Sequence, residues 1–370
     1  QKIDSTPRAD GYRMPGEWEP HTATWLAWPH KAGDWPGKHG AIPWVFASMA
    51  RLLQQGETVR VLVSGATQQR QAERVFGLGG ADVRALDFVH APTDRSWTRD
   101  YLPQILVASG KRAARRGAER AAVKFRFNGW SRYPDHKKDD AAGFSAASHL
   151  GLDCWVPLVQ HGQGLKRVVL EGGGIEVDGQ GTLITSEHCL LTGPYPRNKW
   201  LGRERLEQVL KAHLGLTQVL WVGDGVAGDD TSGHVDDFVR FVGPGRLVLC
   251  EEKERSDPNH RNFEAAFRLL RDARDARGRK FEIVRLPMPR PVIHGRSRLP
   301  ASYANFYIGN DCVLVPTFDD DADVRALGIL AEQFPGRRVI GVHARDLVLG
   351  LGTLHCSTQQ EPAPPRRKAR

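Results

Sequence analysis

The chain contains the segment Val168-Val169-Leu170-Glu171-Gly172-Gly173-Gly174-Ile175-Glu176-Val177-Asp178-Gly179-Gln180-Gly181-Thr182-Leu183-Ile184. Aliphatic and β-branched residues form short runs in it, and glycines separate these runs. Such runs, joined by a glycine-containing turn, are typical of a β-hairpin. A helical pattern over residues 198–214 and a short apolar run over residues 219–222 follow. We therefore predict a unit of strand, tight turn, strand, helix and strand.

The same unit recurs along the chain. The other turns are predicted near Gly110, at 243–245 and at 309–311, about 65 residues apart, and such periodicity marks repeated structural units. Ahead of the first unit, residues 23–89 alternate strand-like and helical patterns. The pattern predicts an α/β fold in which similar ββαβ units surround a common axis.

Polar residues occupy matching places in these units, just ahead of a hairpin or on its first strand. In a ring of similar units, side chains at equivalent places converge on the axis. We therefore expect one central pocket that brings together Asp100, Glu171, His234, Asp236, Asn305 and Cys356.

The composition of the 370 residues, 40% hydrophobic and 26% charged, is typical of a globular protein. No apolar run approaches the roughly 20 residues of a membrane span, and no charged segment followed by an apolar one opens the chain. We expect a cytoplasmic protein. Secretion after removal of a leader stays open because the chain starts at Gln1. A homo-oligomer is compatible with these features, which do not determine the oligomeric state.

The net charge of +9 raises the question of a nucleic-acid partner. Much of the excess is local, in residues 111–120, expected to be a solvated hairpin tip, and in residues 363–370, expected to be a disordered basic tail. Neither segment carries the interleaved aromatic residues on which bases stack. We predict no nucleic-acid binding, and a single domain over residues 1–362.

Five cysteines are spread along the chain without a C-x-x-C pair, which indicates neither a disulfide framework nor a zinc cluster. Cys189, Cys250 and Cys312 lie in apolar runs and are interpreted as small core residues. Cys356 instead lies in the polar segment Gly350-Leu351-Gly352-Thr353-Leu354-His355-Cys356-Ser357-Thr358, whose glycines allow the backbone to approach a ligand. A thiol is a good nucleophile once it loses its proton. Cys356 is the candidate nucleophile, and a structural cysteine is the alternative.

His234 and Asp236 alternate along a predicted strand and would point to the same face. They are a candidate acid–base pair or half of a metal site, although third and fourth metal ligands at usable spacing are missing. Glu171, between an apolar strand and three glycines, is the candidate carboxylate that orients His234. A surface His–Asp pair and a solvent-exposed glutamate are the structural alternatives.

The expected pocket holds more carboxylates than acid–base catalysis requires. Asp100, Asp230 and Asp236 add to Glu171, and several carboxylates together repel one another unless a cation binds. No metal-ligand pattern accounts for them, so the substrate is the expected cation. A planar guanidinium matches two opposed carboxylates through paired hydrogen bonds. Trp97 is placed to face the cation or its alkyl chain.

Short motifs combine these residues with several tryptophans. They are Trp18-Glu19-Pro20-His21, Trp25-Leu26-Ala27-Trp28-Pro29, Trp97-x-Arg99-Asp100, Phe127-Asn128-x-Trp130, Leu170-Glu171-Gly172-Gly173, Asp230-Thr231-Ser232-Gly233-His234-Val235-Asp236 and His355-Cys356-x-Thr358-Gln359-Gln360. In combination they resemble the agmatine deiminases, which share a family with the bacterial-type peptidylarginine deiminases. The resemblance runs from Arg13 to Pro362. It implies the five-bladed pseudo-symmetric α/β propeller of ββαβ units, the pentein fold.

The resemblance also implies hydrolysis of the guanidinium group of agmatine to N-carbamoylputrescine and ammonia, without a metal or organic cofactor. Cys356, its pKa lowered by nearby positive charge, would attack the guanidinium carbon and form a covalent thiouronium adduct. His234, partnered by Glu171, would protonate the ammonia and then activate water. The residues implied or expected to contact the substrate are Asp100, Asp236, Asp230, Trp97 and Asn305.

The chain departs from the family pattern at residues expected to border the pocket. Leu351 and Thr353 stand where glycine and asparagine are usual, and Ser232 stands where asparagine or aspartate is usual. A deiminase of another guanidine, such as peptidyl-arginine, is therefore an alternative function. A non-catalytic binding module leaves the retained nucleophile unexplained, and a cysteine hydrolase of amides leaves the carboxylates unexplained.

Overall fold

A computed structural model describes residues 5–109 and 119–365. The predicted turn near Gly110, most of the predicted hairpin tip and residues 366–370 of the predicted basic tail lie outside the described residues. The α-helices are α1 Ile42–Leu53, α2 Ala66–Leu78, α3 Thr98–Tyr101, α4 Lys137–His149, α5 Arg203–Leu214, α6 Pro258–Asp272 and α7 Ala322–Gln333. Short 3-10 turns cover Ala32–Asp34, His39–Ala41, Val83–Ala85, Gly172–Gly174, Val235–Asp237 and Leu347–Gly350, and a π-helical turn covers His188–Thr192.

The strands are mostly short. They are β1 Tyr12–Arg13, β2 His21–Ala27, β3 Thr58–Val63, β4 Leu86–His90, β5 Gln104–Ala108, β6 Arg120–Val123, β7 Cys154–Trp155, β8 Leu158–His161, β9 Gly164–Arg167, β10 Ile175–Val177, β11 Thr182–Ser186, β12 Gln218–Val222, β13 Val239–Gly243, β14 Arg246–Glu251, β15 Glu282–Pro287, β16 Ile293–His294, β17 Ser297–Arg298, β18 Tyr307–Ile308, β19 Cys312–Thr317, β20 Arg338–His343 and β21 Gln359–Pro362.

Five sheets within the described ranges share one arrangement, in which an antiparallel strand pair is extended by a parallel strand. Their strand orders are β1-β5-β6-β7, β10-β11-β12, β13-β14-β15, β18-β19-β20 and β21-β2-β3-β4, and β8–β9 and β16–β17 form separate hairpins. None of the sheets in this part of the chain closes on itself. The predicted α/β fold is confirmed, whereas the five-bladed ring stays a prediction.

A helix connects each parallel pair, because parallel neighbours need a crossover connection. Helix α6, for example, lies between β14 and β15, whose register sets Val248 opposite Val284. The side chain of Asp257 caps this helix by accepting the Asn259 backbone N–H at 2.9 Å. Residues 247–250 of β14 are fully buried, since this strand lies in the middle of its sheet.

Two local predictions near the site are wrong. His234 and Asp236 do not alternate on a strand, since residues 235–237 form a 3-10 turn and β13 begins only at Val239. The carboxylate of Asp229 causes this by accepting the backbone N–H groups of Thr231 and Gly233, both at 2.7 Å, which winds the loop. Likewise, residues 168–170 form no regular strand ahead of Glu171, and β10 starts after the three glycines.

The candidate residues nevertheless occupy equivalent places, in the turns that lead into a first strand. Asp100 precedes β5, Glu171 precedes β10, Asp236 precedes β13, Asn305 precedes β18 and Cys356 precedes β21. The strands are rigid, so these short turns hold their side chains in defined positions. No helix among the described residues has the length and apolar character that crossing a membrane requires.

Candidate active site

A cavity of 440 Å³ lies beside Cys356, three residues ahead of β21. Cys356 and Asp100 line it together with Trp97, Asp230 and Leu351. The side chains of Glu171, His234, Asp236 and Asn305 are buried beside this lining. The structure therefore brings together all the residues that the sequence predicted to converge.

Gly173 marks the point of convergence. A Cβ on this residue would lie 2.6 Å from His234 Nδ1 and 3.0 Å from both Asp100 Oδ1 and Asp236 Oδ2. Its backbone N–H donates a hydrogen bond to Asp100 Oδ1 at 3.0 Å. Three side chains thus crowd against one backbone position, which only glycine can occupy.

The Cys356 thiol is nearly buried. Its Sγ accepts a hydrogen bond from Asn305 Nδ2 at 3.2 Å and lies 3.8 Å from Asp236 Oδ2. Burial, together with the carboxylates of Asp236, Asp237 and Asp100, raises the pKa of Cys356 well above its ordinary value. The prediction that nearby positive charge lowers this pKa is therefore wrong for the unliganded protein, because carboxylates surround the thiol.

Asn305 holds the nucleophile segment in place. Its Oδ1 accepts hydrogen bonds from the Thr353 hydroxyl at 2.7 Å and from the His355 backbone N–H at 3.1 Å. Its Nδ2 donates to Asp237 Oδ1 at 2.9 Å as well as to Cys356 Sγ. Asn305 therefore orients the thiol, and Thr353, a departure from the family pattern, takes part in holding Asn305.

His234 lies between two carboxylates without a tight hydrogen bond to either. Its Nε2 is 3.6 Å from Glu171 Oε2, and its Nδ1 is 3.9 Å from Asp100 Oδ1. Burial alone would lower the pKa of His234, but Asp100, Cys189 and Glu171 outweigh burial and raise this pKa well above its ordinary value. The imidazole therefore holds a proton in the unliganded protein, close to Asp100 on the cavity side.

Glu171 is fixed by a buried arginine. Arg197 Nε donates to Glu171 Oε1 at 2.9 Å, and Arg197 also donates to the backbone carbonyl of Thr231 at 2.7 Å. Burial would raise the pKa of Glu171, but Arg197 and His234 outweigh burial and lower it. The carboxylate stays ionised beside His234, as an orienting partner must.

Asp236 is held by a second buried histidine. His355 Nδ1 lies 2.7 Å from Asp236 Oδ2, and His355 Nε2 lies 2.7 Å from Glu17 Oε2. Burial opposes ionisation of Asp236, but His355 and the neighbouring cations lower its pKa. Its Oδ1 has no hydrogen-bond partner among the described residues, which leaves this oxygen free for a ligand.

Asp100 lies in the short helix α3. Trp130 Nε1 donates to Asp100 Oδ2 at 2.9 Å. Arg99, its sequence neighbour, does not pair with Asp100 but forms an ion pair with Glu17, with 3.3 Å between Arg99 Nη2 and Glu17 Oε2. Burial, with the charges of Glu171 and Asp236 added, outweighs His234 and raises the pKa of Asp100 to about 6.

Asp230 and Trp97 form part of the outer wall. Asp230 Oδ2 accepts a hydrogen bond from the Tyr133 hydroxyl at 2.5 Å. Trp97 packs on Trp35, with 5.5 Å between the ring centroids. A Cβ on Gly350 would lie 2.8 Å from Trp97, so this glycine makes room for the tryptophan ring, and Gly350 and Gly352 both line the cavity.

Several residues of the site were missed. They are Glu17, Trp130, Tyr133, Arg197 and Asp237. The contacts of His355 with Asp236 and Glu17 were not predicted either. The motifs that carry the resemblance contain Trp130 and His355, and a search for partners within those motifs would have found both. Arg197 lies in a segment without any motif, and no sequence signal connects it to Glu171.

The structure also places possible metal ligands close together. Within the described ranges, one group of donors within 4.8 Å of one another combines Glu171, Cys189 and His234, and another combines Asp236, Asp237 and Cys356. Neither group contains both His234 and Asp236, the pair that the sequence suggested as half of a metal site. The expectation that the protein needs no metal cofactor stays a prediction.

Comparison with known proteins gives one consistent result. The model of the Porphyromonas-type peptidyl-arginine deiminase family matches residues 13–362. The chain is 36% identical to an agmatine deiminase of Ectopseudomonas mendocina, with 98% of both chains covered. It is also 36% identical to an agmatine deiminase of Pseudomonas fluorescens, over 98% of this chain and 99% of that one. The solved agmatine deiminase of Enterococcus faecalis matches with a TM-score of 0.87 at 29% identity, over 99% of this chain and 100% of that chain.

Proposed function

The chain belongs to the Porphyromonas-type peptidyl-arginine deiminase family, and we propose that it is an agmatine deiminase whose nucleophile is Cys356. Its mixed α/β fold is the pentein fold of these enzymes. In this proposal residues 1–362 form one deiminase domain, and the five similar sheets are the blades of a pseudo-symmetric propeller around the cavity. The reaction is hydrolysis of a linear amidine, with N-carbamoylputrescine and ammonia as products.

The carboxylates provide the grip on the guanidinium. Asp100 lines the cavity, and Asp236, whose Oδ1 has no hydrogen-bond partner among the described residues, brings its Oδ2 equally close to the Gly173 position. A guanidinium bound between these two carboxylates offsets the negative charge that raises the pKa of Cys356. The substrate itself therefore supplies the positive charge that lets the thiol lose its proton to solvent. Asp230 and Trp97 contact the alkyl chain and the distal amine in this proposal.

The covalent steps then follow from the positions of Cys356 and His234. Cys356 Sγ attacks the guanidinium carbon and forms a neutral tetrahedral adduct. The imidazolium of His234 gives its proton to one amino group, the C–N bond breaks, and ammonia leaves a thiouronium cation on sulfur. Neutral His234 then takes a proton from water, which attacks the same carbon. The C–S bond breaks, the hydroxyl proton of this second adduct goes to solvent, and the neutral ureido product and the thiolate are released.

One observation carries the proposal. His234 Nδ1, Asp100 Oδ1 and Asp236 Oδ2 all lie within 3.0 Å of the point where a Cβ of Gly173 would be, and Asp236 also lies 3.8 Å from Cys356 Sγ. A nucleophile, a proton donor and two carboxylates at such distances suit attack on a planar cation. A structural cysteine needs none of these neighbours.

The experiment is a ureido-product assay on agmatine, free arginine and a peptide with a C-terminal arginine. We expect turnover of agmatine at a kcat/KM at least 100-fold above the other two, which corresponds to about 2.7 kcal/mol. The Cys356→Ser variant is the control for contaminating activity. Preferential turnover of the peptide would replace agmatine by peptidyl-arginine, and no turnover of any guanidine would contradict the deiminase assignment.

A further inference from the structure

A buried thiol lies against His234 on the side away from the cavity. Cys189, in the π-helical turn, Glu171 and His234 are all fully buried, and one donor atom of each lies within 4.8 Å of the others. Gly174 lies next to this group, since a Cβ there would be 3.8 Å from both Cys189 Sγ and His234 Nε2. The reaction steps above give Cys189 no part.

Two of the three donor atoms lack a hydrogen bond. Glu171 Oε2 and His234 Nε2 have no hydrogen-bond partner among the described residues, and they lie 3.6 Å apart. A tetrahedral ion bound at about 2.0–2.2 Å separates neighbouring oxygen and nitrogen ligands by roughly 3.3–3.5 Å. Glu171 Oε2 and His234 Nε2 are therefore spaced as two ligands of one metal ion, and Cys189 Sγ lies within 4.8 Å of both.

The donor set selects the metal. A thiolate, an imidazole nitrogen and one carboxylate oxygen are the ligands of Zn²⁺, whereas Mg²⁺ and Ca²⁺ take mostly oxygen. Arg197 already donates to Glu171 Oε1, which leaves Oε2 to face the other two donors. Two anionic ligands balance the charge of the ion. We propose that Glu171, Cys189 and His234 form an inhibitory binding site for Zn²⁺.

Zinc at this site would stop the reaction without contacting the substrate. The ion takes the place of the protons on His234 Nε2 and Cys189 Sγ, and both protons go to solvent. It also occupies the space between His234 Nε2 and Glu171 Oε2. His234 then cannot exchange protons as the proposed function requires, so activity falls until the ion leaves. Metal binding itself does not rest on the identity of the substrate.

A second cluster requires a careful test. Cys356, Asp236 and Asp237 also lie within 4.8 Å of one another and would compete for the same ion. Binding is therefore measured with Co²⁺ on the full chain carrying Cys356→Ser, because a cobalt thiolate gives a charge-transfer absorption band that other ligands do not. We expect this band in Cys356→Ser and its displacement by Zn²⁺. Absence of the band overturns the proposal, whatever the activity of the enzyme.

Matched variants show which cysteine sulfur binds the metal ion. Adding Cys189→Ser to Cys356→Ser should abolish the band, whereas adding Cys250→Ser, another buried cysteine, should leave it. In the otherwise unchanged enzyme, Cys189→Ser should raise the Zn²⁺ concentration for half-inhibition at least tenfold, and Cys250→Ser should not. A band that survives Cys189→Ser, or equal zinc inhibition in both variants, means that the ion binds elsewhere and overturns the proposal. Thermal melting checks that each variant is folded.

Discussion

His234 and His355 are both buried histidines between two carboxylates, but they are held differently. The ring nitrogens of His355 each lie 2.7 Å from a carboxylate oxygen, on Asp236 and on Glu17. Those of His234 lie 3.6 Å and 3.9 Å from Glu171 and Asp100. His355 is therefore fixed by two short hydrogen bonds, whereas His234 is surrounded by charged groups without a short hydrogen bond to any of them.

In the proposed function, this difference separates a positioning residue, His355, from the acid–base residue, His234. Both ring nitrogens of His355 are engaged with carboxylates, one on Asp236 and one on Glu17, so neither nitrogen lacks a partner. His234 has two nitrogens without a hydrogen-bond partner in the described part of the chain, and its Nδ1 lies close to Asp100 in the cavity. Although His355 is adjacent to Cys356 in the sequence, His234 is the residue suited to proton transfer.

Replacing His234 should have the largest effect on kcat. We expect His234→Asn to lower kcat about 10²–10⁴-fold, the usual contribution of general acid–base catalysis. Substrate binding should persist because Asp100 and Asp236 remain. Steady-state kinetics and ligand titration measure the two quantities. Normal kinetics in this variant would transfer the role to another base, with His355 the first candidate.

Removing one of the carboxylates proposed to bind the guanidinium should have the next largest effect on activity. Asp236→Asn loses a charge-assisted contact to the guanidinium in a buried site, which typically costs about 2–5 kcal/mol, or roughly 30- to 4,000-fold in kcat/KM. It also leaves His355 with a single carboxylate. Tail truncation after Pro362 is the matched control, because it removes positive charge but none of the candidate site residues, and it should leave the KM for agmatine unchanged. A larger effect from the truncation would show that the pocket has been placed wrongly.

Replacing His355 should lower the free energy of unfolding more than it lowers kcat. His355→Gln leaves the buried carboxylates of Glu17 and Asp236 without their shared hydrogen-bond partner, and breaking such a buried contact typically costs about 3–5 kcal/mol of unfolding free energy. We expect kcat to change less than tenfold in the protein that remains folded. Denaturant unfolding and kinetics at low temperature separate the two effects. A loss of kcat as large as that of His234→Asn, without destabilisation, would remove the distinction between the histidines.

The smallest effect concerns pH. The pKa of Asp100 is raised to about 6, so below this pH the carboxyl is protonated and cannot pair with a guanidinium. The kcat/KM for agmatine should therefore fall as pH decreases through 6, by about tenfold per unit. The kcat at saturation should fall less, because bound cation favours the ionised carboxylate. An acid limb that appears in kcat but not in kcat/KM would assign it to another group.

Much of this arrangement was predictable from residues that repeat in equivalent places. Asp100, Glu171 and Cys356 each lie just ahead of a strand, and the alternation of apolar runs with helical patterns indicates those strands. Helix α1 and strand β3 depend mainly on local periodicity, and both lie in residues 23–89, where the sequence alternates strand-like and helical patterns.

The rest depends on contacts between distant segments. The turn at residues 235–237 forms because Asp229 accepts two backbone N–H groups, a choice that no periodicity reveals. Likewise, the short bonds from His355 to Glu17 join residues 338 positions apart. The high pKa of Cys356 arises from carboxylates that only the folded chain brings together.

The central claim is that Cys356 carries a covalent amidine during turnover while His234 moves the protons. The most direct test is peptide mass spectrometry of the enzyme quenched in acid during steady-state turnover of agmatine, with His234→Asn treated in parallel. The account predicts that the peptide containing Cys356 gains the mass of agmatine minus ammonia in the active enzyme, and that His234→Asn releases no hydrolysed product. A modified Cys189, or rapid turnover without any adduct on Cys356, would contradict it.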